Sequence, residues 1–147
     1  MRIIIQDPPT GGEETITISV KSITEKITRA INLLKSPDDL TVFRADDHAQ
    51  SLMLPVANVF YVESVDLKTF VYAEKAVYRS RLKLYEIEDI LISGDFLRIS
   101  KQIIVNVRKI RNVAPSGDGK FAANLINGET VIISRQYVPA LKERFGL

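Results

Sequence analysis

Apolar and polar positions alternate over short stretches, and these stretches are separated by turn residues. In residues 15–20, Ile16, Ile18 and Val20 fall on one face and Thr15, Thr17 and Ser19 on the other. That period of two predicts a strand with one covered face. Residues 2–5 form a second short apolar run, separated from the first by Asp7-Pro8-Pro9-Thr10-Gly11-Gly12, a dense turn signal. The period then changes. Ile23, Ile27, Ala30, Ile31 and Leu34 share one helical stripe, Ser22 to Glu25 has the pattern of a capping box, and Ser36-Pro37 ends the helix. Residues 1–37 are therefore expected to form a strand–strand–helix extension.

Beyond Pro37 the apolar runs are short and recur every 8–12 residues or so. Strands are predicted at residues 40–45, 58–62, 69–73, 76–79, 96–99, 103–107, 110–114, 121–126 and 130–133. Two short helices interrupt them, one marked by Leu82, Tyr85, Ile87 and Leu91, the other by Val138, Leu141, Lys142 and Phe145. Asn127-Gly128 is the strongest hairpin signal, since both residues tolerate the positive φ of a type I′ turn. The fold class expected for residues 38–147 is mainly β, with antiparallel sheets and short helices.

A chain of 147 residues can hold one ordinary domain with an appended element. No apolar run approaches the roughly 18–20 residues that span a bilayer, and the first residues do not read as a signal peptide. The absence of cysteine excludes disulfides and thiolate metal sites and suits a cytoplasmic protein. The net charge of +2 hides an asymmetry. Residues 1–97 carry 11 Lys/Arg against 15 Asp/Glu, whereas residues 98–147 carry 9 against 3. A basic C-terminal third points to an anionic partner, with a merely solvated basic surface as the alternative.

Catalytic chemistry is hard to assemble. His48 is the sole histidine and sits beside Asp46 and Asp47, without the further ligands that a metal needs; it is expected in an exposed turn. Gly117-Asp118-Gly119-Lys120 lacks phosphate-loop spacing and falls between predicted strands, where a hairpin turn accounts for it. Glu86, Glu88 and Asp89 are expected on the solvated face of the first of the two short helices. No serine, histidine and aspartate set suggests a hydrolase, and no cofactor is implied.

From Asn58 onward the chain resembles the LytTR (LytR/AlgR-type) family of bacterial DNA-binding domains. Four ordered blocks carry the resemblance, over about 110 residues. They are Val59-Phe60-Tyr61-Val62-Glu63-Ser64 with Phe70-Val71-Tyr72, then Leu82-Lys83-Leu84-Tyr85-Glu86-Ile87-Glu88 ending at Leu91. Phe96-Leu97-Arg98-Ile99-Ser100-Lys101-Gln102-Ile103-Ile104-Val105-Asn106 is the most specific. The last is Asn127-Gly128-Glu129 with Ile132-Ile133-Ser134-Arg135-Gln136-Tyr137 and Leu141-Lys142.

The resemblance implies an elongated all-β fold that meets double-stranded DNA with loops, as a transcription regulator and not an enzyme. It implies contacts at Lys68 and Thr69 in a first loop, Ser100 and Lys101 in a second, and Arg135 and Gln136 in a third. Arg135 has the planar fork that holds guanine O6 and N7 together, and Ser134 before it is a candidate helix cap. Lys101 is a point charge suited to phosphate or a narrow minor groove. Arg98, Arg108, Lys109 and Arg111 add positive charge, as do Arg79, Arg81 and Lys83. A receiver domain needs more than 37 residues, so the resemblance is to short stand-alone regulators. Some of these are encoded beside a small inhibitory membrane protein, which makes such an antagonist a candidate partner. Residues 1–37 are too short to support a core alone, so this unit is expected to dock on its own domain, on a second copy or on a partner. A homodimer is favoured, because pairing two domains multiplies effective concentration. The competing reading is a protein-interaction module of the same fold that no longer binds DNA. Thr69, where some relatives have histidine, and Gln102, where serine is more usual, leave it open.

Overall fold

The computed structural model describes residues 1–91 and 94–147, the side chain of Asn32 excepted. Its first helix, α1 (Glu25–Lys35), starts at Thr24, whose side chain accepts a hydrogen bond from the Ile27 N–H at 3.4 Å. The cap is thus Thr24, not Ser22, and Glu25 pairs with Arg29 at 2.6 Å instead of reaching back. Ile27 is buried, but Ile23 and Leu34 of the same expected stripe are exposed.

The two strands expected before the helix do not form: among the described residues no strand precedes Asp39. Alternation supplies an apolar face, but a strand also needs a partner edge, and a lone two-stranded hairpin is marginal in water. Ile3, Ile5, Ile16 and Val20 remain exposed.

The sheets follow: β1 (Asp39–Arg44), β2 (Asp47–Pro55), β3 (Val59–Val65), β4 (Lys68–Ala73), β5 (Val77–Ser80), α2 (Leu84–Leu91), β6 (Phe96–Arg98) and β7 (Ile103–Asn106). Then come β8 (Ile110–Gly117), β9 (Lys120–Leu125), β10 (Thr130–Ile133) and α3 (Val138–Phe145). The seven strands β2-β1-β5-β4-β3-β7-β6 make one antiparallel sheet, and β10-β9-β8 make a second. β2 was not anticipated. Its first half is polar and exposed, and only Leu52 and Leu54 turn inward. His48 stands on this strand, not in a turn, with its ring 5.1 Å from that of Phe43.

The large sheet is covered on both faces. Val62, Val71, Ile104 and Phe96 pack with Leu84, Ile87 and Leu91 of α2. On the other face, Val105, Phe60 and Ile99 pack with Ala123, Leu125 and Ile133 of the small sheet and Leu141 of α3. Strand periodicity explains why Ile103, Ile104 and Val105 are all apolar: neighbours serve opposite cores. β3 slips register between Val59 and Tyr61, and Phe60 at that irregularity joins the second core.

The turns differ from expectation at one place. At 127–128 only Gly128 has positive φ, +91°, and its N–H returns to the Leu125 carbonyl at 3.0 Å. That is a hairpin closed by a left-handed glycine, not a type I′ turn. Positive φ values in succession occur instead at Asp66-Leu67 (50° and 64°) and at Gly117-Asp118-Gly119 (88°, 54° and 74°). The second is the hairpin turn expected at Gly117-Asp118-Gly119-Lys120.

Candidate nucleic-acid interface

Antiparallel order brings the β3–β4 turn, the β6–β7 turn and the end of β5 to one end of the large sheet. The first two are joined directly, because the Ser64 N–H donates to the Gln102 carbonyl at 2.8 Å. The Ser134 N–H donates to the Ile99 carbonyl, also at 2.8 Å, which ties the segment after β10 to the β6–β7 loop. The loops holding Lys68, Lys101 and Arg135 are therefore stitched together by main chain.

The middle loop is also held from behind. The Arg98 Nε donates to the Ser100 carbonyl at 2.6 Å and its Nη2 to the Lys101 carbonyl at 2.5 Å. Its Nη1 lies 3.2 Å from Glu88 Oε1, with both side chains largely covered. Glu88 thus anchors this loop and is not part of a solvated helix face. At the start of α2, Glu86 Oε1 accepts from the Lys83 N–H at 3.3 Å in an exposed cap. Ser100 Oγ accepts from the Gln102 N–H at 3.2 Å and closes the loop internally.

Lys68, Lys101, Arg135 and Gln136 are exposed, and among the described residues none of the three cations makes an ion pair. Thr69 and Ser100 differ: they are only 5% and 7% exposed. Thr69 sits between Ser64 and Ser80 in the register of the sheet, and the Ser100 hydroxyl is engaged by its own loop. Ser134 makes no side-chain cap; it opens a single 3₁₀ turn (Arg135–Tyr137), closed by the Tyr137 N–H to its carbonyl at 2.8 Å. The stem of Arg135 lies against the Asp118-Gly119 turn. A Cβ on Gly119 would come within 3.0 Å of Arg135 Cδ and 3.1 Å of its Cγ. Nothing in the linear pattern linked Gly119 to Arg135, because no motif spans a contact between a turn and a side chain so distant in sequence.

The remaining cations are mostly engaged. Arg108 pairs with Asp95 at 2.8 Å, Lys109 lies 5.0 Å from the Phe60 ring centre, and Arg111 donates to the Ile126 carbonyl at 3.3 Å. These three lie toward the opposite end of the strands from the stitched loops. Arg79 lies between the Phe43 and Phe70 rings. Arg81 stacks on Phe43 and donates to the His48 carbonyl at 2.7 Å.

The family-model description "LytTr DNA-binding domain" matches residues 49–146. The chain belongs to the LytTR family. The structure is similar to the LytTr DNA-binding domain of a protein assigned as a methyl-accepting/DNA response regulator in Bacillus cereus. The TM-score is 0.69 at 28% identity, covering 76% of this chain and all of the other. The chain is also 25% identical over 138 residues to the sensory transduction protein LytT of Enterococcus faecalis. That match takes in 92% of this chain and 57% of the relative's length. The mainly β architecture agrees with the LytTR neighbour, and at family level the function is DNA-binding transcription regulation. β1 lies before the span matched by the family model, yet pairs with both β2 and β5 in the same sheet.

Burial pushes the Tyr61 and Tyr72 phenols up, with Glu129 and Glu63 adding to the effect. Both therefore stay protonated, and the Tyr72 hydroxyl donates to Glu63 at 3.2 Å. Among the described residues, no three His, Cys, Asp or Glu side chains are placed to hold a metal ion. Among the described residues no helix is long and apolar enough to cross a membrane.

Proposed function

We propose that this chain is a sequence-specific, double-stranded-DNA-binding transcription regulator of the cytoplasm, acting through the stitched loops. One observation carries the reading: main-chain bonds hold three loops on one edge, each presenting an exposed cation without an ion pair among the described residues. Such an edge crosses the duplex as a preorganised unit. Lys68 and Lys101 neutralise phosphates, and Arg135, steadied against Gly119, reads a guanine with Gln136 beside it. Thr69 and Ser100 set the shape of their loops from within and reach DNA only if the loops open.

The test separates reading from positioning. On a duplex selected from a random pool, Arg135→Ala is expected to cost about 1–3 kcal/mol and relax preference at one guanine. Lys101→Ala is expected to weaken selected and scrambled duplexes alike. Equal loss on both duplexes for Arg135→Ala would remove its base-reading role.

Residues 1–37 are proposed to hold two chains together. Ile3, Ile4, Ile5, Ile16, Ile23 and Leu33 are exposed on a segment without strand pairing, an unusual density of uncovered apolar surface. Pairing two DNA-binding domains raises the effective concentration of the second at an adjacent half-site. Sedimentation of the full chain at tens of micromolar is expected to give a dimer. A monomer would assign the segment to docking on its own domain or another protein.

A further inference from the structure

The turn between β3 and β4 carries a residue that its backbone disfavours. Leu67 has φ +64°, in the left-handed region where a Cβ crowds the following carbonyl and where glycine, asparagine and aspartate are the usual occupants. Asp66 before it, at φ +50°, is one of those occupants, and Leu67 is not. Its side chain is 97% exposed, so no contact within the chain offsets the strain. Backbone strain that the fold does not use is a pointer to a contact made elsewhere.

The position of the turn says which contact. β4 pairs with β5 only as far as Thr69 opposite Ser80, and β3 meets its other neighbour last at Ser64 and Gln102. Only the pair Val65 and Lys68 and the two turn residues extend beyond those limits. A two-stranded ribbon therefore projects from the edge, with Lys68 exposed on it and Leu67 at its tip. The major groove, about 12 Å wide, admits such a ribbon without distortion, whereas the minor groove is only about 6 Å wide. Thymine presents an apolar group, the C5-methyl, on the major-groove floor.

We propose that Leu67 packs on a thymine C5-methyl group in the major groove while Lys68 meets the flanking phosphate. This rests on the DNA-binding reading above and adds a base to its recognition. It also explains an exposed leucine where asparagine would cost the fold less.

The experiment takes the full chain and its selected duplex and replaces each thymine in turn by deoxyuridine, which keeps pairing and removes only the methyl. The parent is expected to lose about three- to fivefold in affinity at one or two thymines, the scale of one buried methyl group. Leu67→Asn is expected to bind the thymine duplex weaker by a similar factor and to be indifferent to the replacement. Its melting temperature should stand at or above the parent's, since the backbone strain is relieved. Leu67→Met, apolar at the same backbone cost, should keep the discrimination. A parent indifferent at every thymine, or a Leu67→Asn variant that still discriminates, overturns the inference. If the parent selects no duplex, the DNA-binding reading fails with it. If Leu67→Asn binds like the parent while Lys101→Ala is weakened, only the Leu67 contact is lost.

Discussion

Raising monovalent salt from about 50 to 200 mM is expected to weaken duplex binding by roughly 250- to 1,000-fold, a slope of log K against log salt near −4 to −5. Each phosphate neutralised releases close to one counterion, and a cation seated in a groove displaces counterions as well, so the slope counts the cations that the edge brings to the duplex. Lys68, Lys101, Lys120 and Arg135 are exposed and without ion pairs among the described residues, and Arg81 adds part of its charge from the end of β5. Arg44 adds little, because it faces Asp47 across the β1–β2 pair. Asp66 and Asp118 at the turns act in the opposite sense, which holds the slope below that of a wholly basic edge. Titrations at four or more salt concentrations, on duplex and on single strands of the same sequence, give the measurement. A flat response, or equal affinity for single strands, would remove the phosphate-contacting role assigned to this edge.

The count of basic residues beyond position 97 pointed to an anionic partner without locating the surface. Arg108, Lys109 and Arg111 belong to that basic third but lie at the far end of the strands, where Asp95, Phe60 and the Ile126 carbonyl engage them. Lys68, from the acidic part of the chain, stands on the loop edge instead. Only strand order and direction decide which end a residue occupies, and a linear charge count contains neither. The same limit governed the strands. β7 was legible because Ile103, Ile104 and Val105 are apolar for both cores, whereas β2 is an edge strand defined by pairing with β1. Residues 15–20 show the converse, a clean alternation that pairs with none of the sheet edges of its own chain among the described residues. The loop positions became legible through the family resemblance, but the burial of Thr69 and Ser100 did not. Nor did Arg98 as the anchor of a loop, since that role needs two carbonyls and Glu88 brought together by folding.

Ile99→Ala is expected to destabilise the fold by about 3–4 kcal/mol and to uncouple the loops that meet DNA. Ile99 is fully buried with Phe60, Ile133 and Leu141, and truncating such a side chain removes transfer energy and leaves a cavity. For a chain of this size the melting temperature should fall by roughly 8–15 °C. The same residue joins two loops: its N–H donates to the Ile103 carbonyl at 3.0 Å, and its carbonyl accepts from Ser134 at 2.8 Å. Relaxation of the backbone into the cavity moves that carbonyl, and Arg135 then loses its fixed distance from Lys101. Stability and coupling are separated by Leu91→Ala, a comparable truncation in the other core, beneath α2. Both variants should lose similar stability by chemical denaturation. At a temperature where both are folded, only Ile99→Ala should bind its duplex several-fold more weakly than the parent. Equal affinities for the two variants would mean that the Ile99–Ser134 bond does not set the spacing of the loops.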